Sequence, residues 1–238
     1  MNPKGKHPRC TEIGWQAPMK GDCLMTEATQ LIVALIKDMV VVLGFVDVFS
    51  RTRLFRNIVK PGKTFSNQIA LVLIFGLFSI FGTLGGETYK GVYVNIRDMG
   101  PALAGLLGGP LVGLGAGLIG GIHRYTLGGF TCNACSIATV VIGLAAGLVY
   151  SYRKGELISF REVVIFSILM EVFHFGLVLL ISRPFDQALS VLKIAMLPMI
   201  FNNTLGMAIC AFIMSDMIRR QRYYDKIKSY GRHVNGKS

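Results

Sequence analysis

Residues 95–129 read NIRDMGPALAGLLGGPLVGLGAGLIGGIHRYTLGG. Polar groups stand at both ends, Asn95, Arg97 and Asp98 before and His123 and Arg124 after, and no charged side chain falls between Gly100 and Gly121. That stretch holds enough apolar residues to cross a hydrocarbon core of about 30 Å as a helix. Five more apolar stretches lie at Leu31–Val48, Ile69–Gly82, Ala134–Tyr150, Val163–Ser182 and Val191–Met214. Across the 238 residues, 52% are hydrophobic and 16% charged, with a mean hydropathy of +0.53, outside the usual range of water-soluble domains. None of the stretches alternates as a barrel strand does, and hydrocarbon offers backbone N–H and C=O groups no partners. The expected fold is therefore all-α, a polytopic membrane bundle of about six transmembrane helices.

The formal charge of +12 would suggest nucleic acid in a soluble protein. Here its placement argues otherwise. Seven of the 25 basic residues follow the last apolar stretch, Arg219, Arg220, Arg222, Lys226, Lys228, Arg232 and Lys237. A basic tail of this kind reads as cytoplasmic and in contact with anionic lipid headgroups, with no nucleic-acid partner. Six simple crossings place both termini inside, with 16 of the 25 basic residues on that side. One loop disagrees, because Arg51, Arg53, Arg56, Lys60 and Lys63 crowd a connection that this count puts outside. If that loop is cytoplasmic, a later segment must be re-entrant or broken, and Pro110 marks the glycine-rich stretch as the place.

Residues 1–24 are polar, with neither the apolar run nor the cleavage pattern of a secretory signal. They are expected to form a disordered extension, with Met25 an alternative start. Residues 25–215 form the expected transmembrane domain, and 216–238 the basic tail. The five cysteines, Cys10, Cys23, Cys132, Cys135 and Cys210, are too scattered for a disulfide framework.

Thirteen of the 28 glycines fall in residues 100–150, and Gly105, Gly109, Gly113, Gly117 and Gly121 recur at every fourth position. On one helix they would form a ridge without side chains, a helix-packing surface at which two backbones meet closely in lipid. Gly143 and Gly147 repeat the spacing on the next segment. The ridge fits tight packing alone, and equally packing around a ligand pocket. Arg97 and Arg124 likewise read as interfacial anchors or as donors for a carboxylate.

With these residues in view, the run 95–129 resembles the signature of the LytS/YhcK-type transmembrane receptor, an input domain of bacterial sensor histidine kinases and some diguanylate cyclases. The likeness extends from about Leu31 to Met214. IGLAAGLV (142–149), SRPFDQAL (182–189) and LPMIFNNTLGMAI (197–209) also look like this family, and SRPF with GGIHRYTLGG points toward its pyruvate-sensing branch. The resemblance implies a fold similar to the six-helix substrate-binding components of energy-coupling-factor transporters. It implies small carboxylates, pyruvate above all, as ligands. Its implied ligand-binding residues are Arg97, Arg124 and Cys135, with Asn95 and Asn203 in the same ordered set. Two departures stand out: Ile96 replaces a common threonine, and Cys132 is not a usual family residue. Cys132 and Cys135 have the spacing of half a metal site or a redox pair, yet no second pair of ligands accompanies them, and no metal or cofactor is expected.

Glu171 and His174, three apart, share a helical face in an apolar segment, as a structural pair or as a ligand- or proton-sensing one. Glu171 joins the candidate ligand set on that ground. Lys37, Asp38, Asn202 and Asn203 interrupt spans and each demands a partner if buried. Asp47 and Arg183, nearer span ends, read as interfacial. The expected function is a plasma-membrane receptor that binds a small carboxylate and signals to a cytoplasmic kinase, as a homodimer or through a separate kinase partner. The alternative is the substrate-binding component of an uptake transporter, and a membrane scaffold is a third class. Only 24 residues follow Met214, too few for a kinase core, so no catalysis is expected of this polypeptide.

Overall fold

The computed structural model describes residues 20–59, 64–89, 91–156 and 158–235; the side chains of 20–27, 58–59, 225–226 and 228–235 lie outside that description. Most of the expected N-terminal extension, with Cys10, and the loop lysines Lys60 and Lys63 fall outside it too. Among the described residues the chain forms eight helices: α1 (Lys20–Ser50), α2 (Arg53–Val59), α3 (Phe65–Leu84), α4 (Met99–Gly108), α5 (Pro110–Thr126), α6 (Cys132–Tyr152), α7 (Phe160–Ile181) and α8 (Phe185–Asn235). Between α3 and α4 stands one small hairpin, β1 (Glu87–Tyr89) and β2 (Val92–Val94), antiparallel with Thr88 opposite Tyr93. The fold is an all-α membrane bundle.

Four helices are long and apolar enough to cross a bilayer by length and composition, α3, α6, α7 and the Phe185–Tyr224 part of α8. Their outward faces carry Leu77, Leu169, Leu180 and Phe212, each more than half exposed, as a surface solvated by lipid requires. α1 is interrupted by polar groups as its sequence suggested. Lys37 Nζ stands 4.0 Å from Glu87 Oε1 on the hairpin, and Asp38 lies against Gly85 at the end of α3. Asp47, read as interfacial, is held by Arg51 through two hydrogen bonds of 2.9 and 3.1 Å.

The stretch read as one span from Gly100 to Gly121 is two helices. Gly109 takes φ +95° between them, a backbone conformation that L side chains rarely adopt, and Pro110 begins α5 where its missing N–H costs nothing. The chain folds back there, so that Gly105 of α4 faces Gly113 of α5. The single glycine ridge is thereby divided. A Cβ at Gly105 would lie 2.5 Å from the Gly143 carbonyl oxygen, and one at Gly117 2.9 Å from Val140 Cα. Gly113 and Gly143 meet backbone to backbone, each closing on the other's carbonyl oxygen, and Gly121 packs on Ser136. α6 is thus gripped on one side by α4 and on another by α5, at separations only glycine permits.

This break decides the order of the ends. α1 and α8 run side by side in one direction, with Met39 at Gly206 and with Ser50 and Met217 lining one cavity. α2, with Arg53 and Arg56, therefore lies at the same end as Arg219, Arg220 and Arg222, and α1 begins at the opposite end. Six simple crossings are therefore not what the described helices form: the disputed basic loop and the start of the basic tail share an end, and the broken glycine segment supplies the extra reversal. α8 is one continuous helix across the boundary expected at residue 215, and it contains Pro198.

Candidate functional site

Arg97 sits in the turn that leads from β2 into α4. The segment descends along α3 because residue 82 is glycine, where a Cβ would come within 2.9 Å of Arg97 Cα. Asn95 sets the turn. Its Oδ1 accepts the Arg97 backbone N–H at 3.1 Å while its Nδ2 donates to the Tyr93 carbonyl at 3.2 Å.

The Arg97 side chain is fully buried. Its Nε donates to Thr139 Oγ1 at 2.7 Å and to Asp98 Oδ1 at 3.3 Å, and Thr139 in turn donates to Asp98 Oδ1 at 2.6 Å. The other carboxylate oxygen of Asp98 lies 3.0 Å from His174 Nδ1. One turn back on α7, Glu171 Oε1 accepts from Asn203 Nδ2 of α8 at 2.7 Å, and the same amide reaches the Asn95 carbonyl at 3.4 Å. Five helices and the hairpin segment thus contribute to, or border on, one buried polar cluster, as low dielectric demands of groups that cannot reach water.

Asp98, Glu171 and His174 each offer a ligand atom within 4.8 Å of the others, the donor types of a divalent-cation site. Arg97, 3.3 Å from Asp98, already supplies a fixed positive charge there, so an ion pair is the simpler account.

Arg124, also fully buried, is held at the far end of α5. Its Nη1 donates to the Gly128 carbonyl at 2.6 Å and its Nη2 to Thr131 Oγ1 at 3.1 Å, while its Cζ stands 4.8 Å from the centre of the Tyr93 ring. Gly128 and Gly129 at φ +68° and +86° turn the loop back over the guanidinium. Arg97 and Arg124 are both anchored on α6, at Thr139 and at the N-cap Thr131, about two helical turns apart. Cys135, buried in the first turn of α6, gives its carbonyl to Thr139 Oγ1 at 2.9 Å and borders one small cavity together with His174. That cavity, of ≈ 20 Å³, is bordered also by Tyr93, Thr131 and the apolar faces of α7 and α8. That is room for a single water, so any larger molecule enters only as these helices part.

Several polar atoms in this region have no hydrogen-bond partner among the described residues: both terminal nitrogens of Arg97, Nε of Arg124 and Oε2 of Glu171. Buried donors in that state are uncommon and costly.

All six residues singled out in the sequence for a ligand, Asn95, Arg97, Arg124, Cys135, Glu171 and Asn203, fall in or beside this region. Cys132, on the same turn of α6, is half-buried and among the described residues bonds its neighbour, Sγ to Asn133 Oδ1 at 3.6 Å. Asn202 turns to its own helix and donates to the Pro198 carbonyl at 2.9 Å. Sequence reasoning missed Thr139, Thr131 and Tyr93, and it treated Asp98 as a flanking charge. Thr139, four residues after Cys135, shares its helical face, and Tyr93, two before Asn95, shares its strand face; both spacings were available.

Asn203→Leu tests the cluster directly. Removing the amide leaves Glu171 Oε1 without its donor, so denaturation in detergent should show a loss of about 1–3 kcal/mol. A stability equal to the parent's would mean that Glu171 finds another partner.

A family model described as 5TMR of 5TMR-LYT matches residues 52–217. Sensor histidine kinase BtsS of Escherichia coli strain K12 is 33% identical over 191 residues, covering 78% of this chain and 34% of that protein. Sensor protein LytS of Bacillus subtilis strain 168 is 30% identical over 200 residues, 76% of this chain and 33% of the relative. Sensor histidine kinase/phosphatase LytS of Staphylococcus aureus strain Mu50 is 27% identical over 194 residues, 74% and 33% of the two chains. The chain spans about a third of the length of these curated relatives. No solved structure matches it significantly. Matched over most of its length by the family model and by these sensors, the chain belongs to the 5TMR-LYT family, as a LytS-type transmembrane sensor input domain.

Proposed function

We propose that this domain recognises a small carboxylate, pyruvate or a close relative, and that the ligand's carboxylate is taken between Arg97 and Arg124 with Cys135 beside its second functional group. The observation that carries the reading is the pair of unpaired Nη atoms on the fully buried Arg97, which is anchored on the same helix, α6, as the equally buried Arg124. A buried guanidinium held by its Nε alone presents its terminal nitrogens for bidentate contact with a carboxylate. The Cys135 thiol could approach an α-keto carbon.

Recognition becomes a signal only if the ligand prefers one of two helix packings. A cavity of ≈ 20 Å³, too small for the ligand, is what the closed member of such a pair would have. The polar cluster ties α4, α6, α7 and α8 together, so a ligand that re-engages Arg97 alters the pull on Asp98, His174, Glu171 and Asn203. α8 then carries the change toward its basic end, which we place in the cytoplasm because Arg51, Arg53 and Arg56 gather there with Arg219, Arg220 and Arg222. A histidine kinase module of the type named in the relatives would receive it, in a plasma-membrane assembly.

Titration of the purified chain with pyruvate tests the clamp. Arg97→Gln and Arg124→Gln should each weaken binding about 10- to 100-fold, the worth of a charged hydrogen bond. Unchanged affinity in the double variant overturns it. In liposomes, ligand accumulation driven by an added ATPase module would favour uptake over sensing.

A further inference from the structure

At the end of the bundle shared by the basic segments, a second cavity lies between the corner where α1 turns into α2 and the late part of α8. Its volume is ≈ 410 Å³, and Ser50, Phe55, Arg56, Met217, Arg220 and Tyr224 are among its lining residues. It is far from the carboxylate region and larger.

The chemistry of its wall is uneven. Among the described residues the two carboxylates nearby are already engaged: Asp47 by Arg51, and Asp216 by Arg220 through its Nε at 2.7 Å. Arg56 has no carboxylate partner among the described residues and donates only Nη1, to the Arg51 carbonyl at 3.2 Å. Two guanidinium groups with nitrogens to spare therefore border one space, with the Tyr224 phenol beside them. Arg53, Arg219 and Arg222, all exposed, add positive charge around it.

We propose that this cavity binds the phosphate headgroup of an anionic glycerophospholipid. Phosphate suits the wall, since guanidinium pairs recognise its oxygens with matched geometry. A lipid rather than a free phosphate suits the surroundings. The outward faces of the two helices that form the cavity continue as apolar surface, Val41, Phe45 and Val48 on α1 and Leu205 and Phe212 on α8, all exposed where acyl chains lie. Cationic side chains at the end of a span also sit where anionic headgroups concentrate. The bound lipid would join the α1–α2 corner to the helix assigned above to output.

The test uses the full chain in neutral detergent, with native mass spectrometry to count adducts and thermal melting to follow stabilisation. Probes are phosphatidylglycerol, phosphatidylcholine and inorganic phosphate. Phosphatidylglycerol should bind and raise Tm, and Arg56→Gln with Arg220→Gln should weaken that binding at least tenfold. Arg219→Gln with Arg222→Gln removes equal charge outside the cavity and should leave it within twofold. Met217→Trp fills the space without changing charge and should also abolish binding, which keeps the test open if the arginine pair does not fold. Equal losses from both arginine pairs would reduce the site to diffuse attraction and overturn the proposal. Arginine-dependent binding of inorganic phosphate with no preference for lipid would overturn it as well, as would phosphatidylcholine binding equally well.

Discussion

Gly113→Ala should lower the stability of the bundle by about 3 kcal/mol or more, at the upper end of what overpacking costs. The added methyl meets the Gly143 carbonyl oxygen and carbon, and Gly105 Cα at 2.8 Å. All of these are backbone, so no side chain can swing aside and α5 must lift away from α6. That separation also removes van der Waals contact, which holds helices together where the hydrophobic effect between them is absent. Gly44→Ala and Gly176→Ala are the matched controls, since nothing lies within 4 Å of a methyl at either position. Both should be neutral or stabilising by up to about 1 kcal/mol, the helix propensity of alanine over glycine. Denaturation in a single detergent reads all three, and similar losses across the set would sink the claim that these backbones are in contact.

Asp98→Ala should cost about 3–5 kcal/mol, because removing one partner of a buried ion pair strands the other. Here two are stranded. Arg97 Nε loses a carboxylate oxygen at 3.3 Å and His174 Nδ1 loses one at 3.0 Å, both where water cannot replace them. Thr139 loses the nearer of its two acceptors and keeps the Cys135 carbonyl at 2.9 Å. A double-mutant cycle with His174→Gln isolates the shared part: if the two changes act through one contact, their effects add to less than their sum by 0.5–3 kcal/mol, roughly the range for neighbours. Simple additivity would show that Asp98 and His174 stabilise the bundle independently.

The membrane character of the chain was written in its apolar stretches, and its weakest point was written in Pro110 among glycines. What that point does was not. A break between Gly108 and Pro110 leaves open whether the chain kinks onward or doubles back, and only the match of Gly105 to Gly113 settles it. The crowded loop at Arg51–Lys63 held the same information as an anomaly in charge, since an odd number of reversals removes the conflict. The candidate site divides similarly. Glu171 and His174 declare themselves by spacing within one helix, and Arg97 and Arg124 by being charges beside spans. Asp98 joins them from 73 and 76 positions away, a pairing that local periodicity cannot express. The α2 helix and the β1–β2 hairpin, short and without clear periodicity, gave no signal in the apolar pattern either.

α8 extends for 51 residues, about 76 Å at the usual rise per residue. Asn203, its contact with the polar cluster, lies five residues past Pro198, where a helix lacking one hydrogen bond bends most easily. From there to Asn235 the rod is on the order of 48 Å long. It behaves as a lever with a short arm at its fulcrum: a tilt of a few degrees, too small to unseat a hydrogen bond near the pivot, sweeps the distant tip through several ångströms, so the receptor can amplify by leverage what it detects by touch.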